Sequence, residues 1–424
     1  MHPSEQILHA MARIYRYRMT TTSGGNLSIV DENGDLWITP ARVDKGGLTR
    51  ADVVCVRPDG RIEGTRTPSS ELPIHQEIRR RRPELGGIVH AHPTALVSFS
   101  LVHQVPDTRL FHQAWSVCGK PGFAPYELPG SAALGNRVAE TFEQGYDCVI
   151  MENHGVVTAG RDLAQAFRRF ETLEFTAKTL IKASLLGGEV RFLTDEQLDL
   201  ERQRVSRLEE FAAPEPSTAE AELRQRLTEF VRRAYRQRLF ISTQGSYSAR
   251  VDASSFLITP YQEDRGTLNP EDLVLIRDGR AESGKLPSRA ALMHDAIYRR
   301  HDAVGAIVNA YPVNATAFSV SGVALDTRTI PESYVVVRQP GRAHFGLQFT
   351  DTDQLASLIS PAQPAIILEN DGILVTGASV LETFDRLEVV ESTAEAIINC
   401  RAIGSLTPLS DGITRELDAA FFGC

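Results

Sequence analysis

The sequence predicts an α/β fold that occurs twice in tandem. Three observations carry this. The chain has 424 residues, more than one core ordinarily fills. Helix-period and strand-period runs alternate along its first half. The second half then repeats the first in order. The expected division is a domain over residues 1–210, a linker over 211–220 with the proline-rich segment Phe211-Ala212-Ala213-Pro214-Glu215-Pro216, and a domain over 221–424.

Residues 4–18 place Ile7, Leu8, Met11, Ile14 and Tyr15 at helical spacing, an amphipathic first helix. The small polar run Thr21-Thr22-Ser23-Gly24-Gly25-Asn26 leads into two strand-like stretches, Leu27–Val30 and Asp35–Thr39, around the turn pair Asn33-Gly34. Asp52–Arg57 reads as a strand, and a helix starts near Ser69-Ser70-Glu71. Gly86-Gly87-Ile88-Val89 delivers the chain to His90-Ala91-His92, where the period of two puts both imidazoles on one face and Val89 and Ala91 on the other. Cys148–Glu152 is an apolar strand that ends at His154, and a long helix over about 162–186 closes the unit.

Two histidines on one strand face, with His154 arriving from another, form a candidate site for a divalent metal. The repeat sharpens this reading. Gly25-Asn26-Leu27-Ser28 recurs as Gly245-Ser246-Tyr247-Ser248, Ile38-Thr39-Pro40 as Ile258-Thr259-Pro260, and Lys45-Gly46 as Arg265-Gly266. Yet Pro68-Ser69-Ser70-Glu71 becomes Pro287-Ser288-Arg289-Ala290, His90-Ala91-His92 becomes Asn309-Ala310-Tyr311, and Asn153-His154-Gly155 becomes Asn370-Asp371-Gly372. Three histidines and one glutamate change together while the neighbouring prolines and glycines stay, so the four behave as one unit. Local alternatives stand beside this: Glu71 also suits a helix N-terminus, Gly25 and Asn26 suit a turn, and Arg42 suits a solvated surface. His75 and His294 match between the copies, which points to a shared structural role, as it does for Lys45 and Arg265.

The composition, 42% hydrophobic and 23% charged with a net charge of −9, is that of a globular protein without the basic surface that nucleic acid requires. Five scattered cysteines, none in C-x-x-C spacing, suggest neither a disulfide framework nor a thiolate metal site. A cytoplasmic location is expected, with no signal peptide or membrane span.

Ser23-Gly24-Gly25-Asn26-Leu27-Ser28, Ile38-Thr39-Pro40, Pro68-Ser69-Ser70-Glu71, His90-Ala91-His92 and Asn153-His154-Gly155, in this order and spacing, resemble the class II aldolase/adducin family, particularly its fuculose-phosphate aldolases. The resemblance covers residues 5 to about 190 and, more weakly, about 220 to 405. It implies a three-layer α/β/α fold around a mainly antiparallel sheet. It also implies a divalent metal, zinc first and manganese, iron or cobalt as alternatives, held by His90, His92 and His154. Glu71 would be the catalytic base, with Gly25, Asn26, Ser69 and Ser70 binding an anion. Two departures are visible. Ala41-Arg42 follows the Thr-Pro, so Arg42 could grip a phosphate or carboxylate directly. His112-Gln113 stands where the family has a His-Tyr pair, which leaves His112 or Tyr126 to act on the substrate as proton donor. The implied activity is metal-dependent aldol cleavage of a small anionic sugar phosphate or related hydroxy-carbonyl compound through a metal-stabilised enediolate. Decarboxylation or epimerisation is the alternative chemistry, and a non-enzymatic adducin-like scaffold the alternative role. The family's rings imply a homo-oligomer, a dimer that supplies four domains.

Overall fold

The computed structural model of the protein describes residues 1–202 and 208–423; Cys424, counted above, lies outside them. The chain forms two units, Met1–Thr108 with Gln113–Lys178, and Arg109–His112 with Thr179–Cys424. The division falls earlier than the expected boundary at residue 210, and the physical reason is local pairing. Arg191 N donates to Val320 O, and Glu210–Phe211 pairs as an edge strand with Arg280–Glu282, so most of 179–211 is bound into the second unit.

The first unit has strands β1 (Asn26–Val30), β2 (Leu36–Ile38), β3 (Val54–Val56), β4 (Ile62–Glu63), β5 (Gly87–Ala91), β6 (Gly122–Ala124), β7 (Cys148–Met151) and β8 (Gly155–Gly160). Its helices are α1 (Pro3–Arg16), α2 (Leu72–Arg81), α3 (Thr94–Leu101), α4 (His112–Cys118), α5 (Ala132–Glu143) and α6 (Leu163–Leu186); α4 begins in the second unit, and so does the end of α6 lie there. The sheet runs β4-β3-β2-β1-β5-β8-β7-β6, antiparallel except for the β6–β7 edge.

Local signals explain the elements. His2 caps α1 by accepting from Ser4 N, Pro3 occupies its first turn, and Ile7, Met11 and Ile14 form the buried stripe. The β1–β2 hairpin turns at Gly34, whose φ of +82° lies in the left-handed region that glycine adopts without strain. Under α2 and α5, Ile74, Ile78, Val138 and Phe142 close on Ile88, Val149 and Val157 of the sheet. Burying a side chain such as Phe142 contributes roughly 1.5–3 kcal/mol. On the other strand face Leu27 and Val89 are also fully buried. A sheet buried on both faces needs helices on both, which is the three-layer α/β/α arrangement.

The second unit repeats this plan with β9 (Glu210–Phe211), β10 (Ser246–Arg250), β11 (Ser255–Ile258), β12 (Val274–Arg277), β13 (Arg280–Glu282), β14 (Ala306–Ala310), β15 (Gly341–Ala343), β16 (Ala365–Leu368) and β17 (Ile373–Gly377). Its order, β15-β16-β17-β14-β10-β11-β12-β13-β9, is that of the first sheet read in reverse with β9 added at one edge. Among the described residues the cysteines Cys55, Cys118, Cys148 and Cys400 are unbridged, and no helix is long and apolar enough to cross a membrane.

Candidate metal centre

His90 sits near the end of β5, opposite Asn26 of β1 and Val157 of β8, so strands on both sides fix its backbone. Ile88, two residues earlier on the same face, belongs to the core beneath α2 and α5, and His90 continues that face to the strand's end. His92 follows directly after β5, and His154 lies in the turn between β7 and β8. Asn153 makes that turn with φ of +53°, a left-handed conformation that asparagine tolerates. The next residue must be small: a Cβ on Gly155 would come within 2.6 Å of both Ala91 O and His92 Cδ2. Glycine therefore lets β8 begin against the histidine strand.

These constraints bring the three rings together. The centroid of His90 lies 4.7 Å from that of His92 and 5.0 Å from that of His154, while His92 and His154 stack 5.1 Å apart. One ring nitrogen from each lies within 4.8 Å of the others. Glu71, the residue that precedes α2, faces this cluster: Oε2 lies 3.0 Å from His90 Nε2 and Oε1 3.2 Å from His154 Nε2. The loop that carries Glu71 is pinned where Ser69 N donates to Thr39 O and Pro68 bridges Pro40.

The residues fit a divalent metal on the chemistry of their donors. His90 Nδ1 lies 2.9 Å from Val156 O, and a carbonyl can only accept, so Nδ1 carries the proton and Nε2 presents a lone pair. The buried Nε2 atoms of His90 and His92 make no hydrogen bond, an arrangement that costs free energy unless something else binds there. Burial, helped by the charges of His90 and His154, lowers His92 to about 3 and keeps its ring neutral, the form that ligates. Burial alone would raise the Glu71 carboxyl, but His90 and His154 together hold it well below the usual range. Burial likewise lowers His90, and Glu71 with the Val156 carbonyl more than offsets this, so a proton and a metal compete for the same nitrogen.

Other expected site residues are placed as follows. The Asn26 amide is turned onto Glu71, with Nδ2 donating to Oε2 at 2.7 Å. Ser69 Oγ accepts from Glu71 N, which leaves its own proton available, and Ser70 is exposed beside it. Gly25 adopts φ of +71°, and a Cβ there would come within 2.9 Å of His90 O. Arg42 is exposed in a left-handed turn just beyond β2. Tyr126 is exposed, its backbone N–H held by Glu152.

His112 is not brought to the cluster, and Arg42 and Tyr126 make no contact with it among the described interactions. His112 belongs to the second unit, where Nε2 lies 3.6 Å from Asp371 and the ring packs on Phe349. Four residues before Gln113 leave the first unit, and sequence order alone gives no sign of this. Lys45 is buried with Nζ donating to Pro40 O at 2.6 Å, and Arg265 donates to Pro260 O at 3.0 Å. Their shared contact supports the structural role expected for both. Sequence reasoning missed the part His75 plays. Buried on the same face of α2 as Glu71, one turn on, it contacts Asn26 and Ser28, and the spacing of four residues was the available signal.

A mainly antiparallel sheet between helices, built twice, with a three-histidine cluster in the first copy, defines a tandem α/β protein with one candidate metal centre among the described residues. The chain belongs to the family described as "Class II Aldolase and Adducin N-terminal domain", which it matches over residues 5–181 and again over 225–398. It is 33% identical over 168 residues to the L-fuculose phosphate aldolase of Methanococcus maripaludis, a match that covers 39% of this chain and 88% of that one. It is 29% identical over 205 residues to the 3-oxo-tetronate 4-phosphate decarboxylase of Haemophilus influenzae, covering 47% and 96%. Of solved structures, YgbL from Escherichia coli, described as a putative aldolase/epimerase/decarboxylase, aligns at 25% identity with a TM-score of 0.43 over 46% of this chain and 95% of that one.

Proposed function

We propose that the first unit is a metal-dependent lyase that cleaves a carbon–carbon bond in a small sugar phosphate or related hydroxy-carbonyl compound. The observation that carries this reading is the Glu71 carboxylate, held 3.0 and 3.2 Å from two of three clustered histidines whose ring nitrogens are suited to a metal. His90, His92 and His154 would hold the ion, zinc foremost, and a bound ion supplies Lewis acidity toward a substrate carbonyl.

The chain's own residues then divide the remaining work. Glu71, buried and ionised, accepts the hydroxyl proton as the carbon–carbon bond breaks and returns a proton to carbon. Gly25, beside His90, and Ser69, beside Glu71, would receive an anionic group together with the Ser70 hydroxyl and the Arg42 guanidinium. A homodimer that presents four copies of the fold belongs to the same reading, and sedimentation at monomer mass would remove it.

Decarboxylation is a second reading, supported by the match to 3-oxo-tetronate 4-phosphate decarboxylase. Both reactions leave negative charge beside the same carbonyl, and both end with a proton delivered to carbon. The test is metal-loaded protein offered L-fuculose 1-phosphate, 5-deoxy-D-ribulose 1-phosphate and 3-oxo-tetronate 4-phosphate, with aldehyde and carbon dioxide measured separately. Aldehyde release that is lost in Glu71→Gln supports the lyase reading. Carbon dioxide without aldehyde moves the assignment to decarboxylase, and turnover of none by the loaded protein counts against both.

A further inference from the structure

The hydrogen bonds behind Glu71 form a single directed chain. Ser28 Oγ lies 2.6 Å from His75 Nδ1, His75 Nε2 lies 2.5 Å from Asn26 Oδ1, and Asn26 Nδ2 lies 2.7 Å from Glu71 Oε2. Its proton order follows from chemistry. A carboxylate only accepts, so the nitrogen of the Asn26 amide faces Glu71 and the amide oxygen faces His75. That oxygen also only accepts, so His75 Nε2 carries the ring proton, and Nδ1 takes a hydrogen bond from the Ser28 hydroxyl. Every donor in the chain points toward the carboxylate. Ser28, Asn26, His75 and Glu71 are all buried, so each link resists exchange with water.

The second unit keeps half of this wiring. His294 Nδ1 lies 2.7 Å from Ser248, as His75 does from Ser28, but His294 Nε2 ends 3.2 Å from Ser246, which stands where the first unit has Asn26. Ala290 stands where Glu71 does. The histidine and distal serine are thus shared scaffold, and the asparagine is the link that changes together with the glutamate. Ser246 is buried at its place in an intact sheet, so serine is compatible with the fold at this position.

We propose that Asn26 is the positioning residue of Glu71: its amide, locked in orientation by His75, holds one carboxylate oxygen and so aims the other across the histidine cluster. This rests on the metal-centre reading above and adds to it a residue that acts through Glu71. With Oε2 held by Asn26 beside His90, Oε1 lies against His154, and loss of Asn26 lets the carboxylate turn and change what it offers a bound ion.

The test uses the full chain loaded with Co²⁺, whose visible spectrum reports coordination. Wild type, Asn26→Ser, Glu71→Gln and the double variant are compared by spectrum and by competition titration, with circular dichroism as the check on folding. Asn26→Asp, which keeps the size and removes the donor, stands in if the serine variant does not fold. Asn26→Ser is expected to alter the Co²⁺ spectrum and weaken binding about tenfold, the usual scale for an outer partner of a metal ligand. The same change is expected to have no effect in the Glu71→Gln background. Unchanged spectrum and affinity in Asn26→Ser, or an equal change with and without Glu71, would overturn the proposal while leaving the metal centre in place. Wild type that binds no Co²⁺ overturns the metal-centre reading, and this proposal with it.

Discussion

The two units share a sheet order and a loop scheme, yet they treat the same positions in opposite ways. In the first, His90, His92, His154 and Glu71 converge, and buried ring nitrogens are left without a hydrogen bond. In the second, the equivalents are Asn309, Tyr311, Asp371 and Ala290, and two of the four are joined to each other. Tyr311 Oη donates to Asp371 Oδ1 at 2.9 Å, and Gln348 Nε2 donates to Asp371 Oδ2 at 3.2 Å. Asn309 Oδ1 has no hydrogen bond, but one amide oxygen is no site for a transition metal. The difference teaches that the fold does not need the histidines. The first copy keeps a cluster of open ring nitrogens at an energetic cost, and the second pairs Tyr311, Asp371 and Gln348 with one another at the matching place.

The harshest way to break this comparison is to write the second copy's residues into the first. His90→Asn, His92→Tyr and His154→Asp together should abolish metal binding and turnover. Folding should survive, checked by circular dichroism, because the second unit carries these residues in the same topology. Collapse of the fold would show that the context differs more than the sheet order suggests. Next in size, Glu71→Ala, the second copy's residue, should lower kcat by about 100- to 10,000-fold, the range for a lost general acid or base. A change confined to KM would place Glu71 in binding alone.

On the other side of the comparison, Asp371→Ala removes the hub of the second unit's network and leaves Tyr311 and Gln348 without that acceptor. It should cost about 1–3 kcal/mol of stability by denaturant titration and leave the metal content per chain unchanged. Loss of metal in this variant would contradict the assignment of the site to the first unit.

The remaining effect is read against acid. Burial lowers His75 to about 3, so the folded protein keeps this ring neutral while the unfolded chain protonates it below its ordinary value of about 6.5. The unfolded state then binds more protons, and stability falls as pH drops from about 6.5 toward about 3, by up to about 1.4 kcal/mol per unit. His75→Gln should flatten that part of the profile. An identical acid profile in the variant would mean that His75 is not buried in its neutral form.

Much of this was legible in the sequence, and the failures have a physical pattern. Short-range signals served well: the first helix, the Asn33-Gly34 hairpin and the long helix near 162–186 follow from periodicity and turn chemistry that act within a few residues. The cluster was legible because strand period and the internal repeat both bear on His90, His92 and His154. What escaped depends on which distant groups meet. Asn26 has the composition of a turn residue, and only its register opposite His90 directs the amide to Glu71. Phe211 stands in a proline-rich stretch that reads as linker, but its backbone pairs with β13. His112 is adjacent to Gln113 in sequence and belongs to a different unit. Such pairings are fixed by tertiary context, which local propensity does not contain.

The central claim is that one copy holds a metal and the other does not. Elemental analysis of the purified protein, beside a His90→Ala/His92→Ala variant that still folds, tests it most directly. The account predicts about one transition-metal ion per wild-type chain and almost none in the variant, since metal affinity follows the ligand set. Wild type that stays metal-free when zinc, manganese, iron and cobalt are supplied, or a variant that keeps its metal, would contradict it.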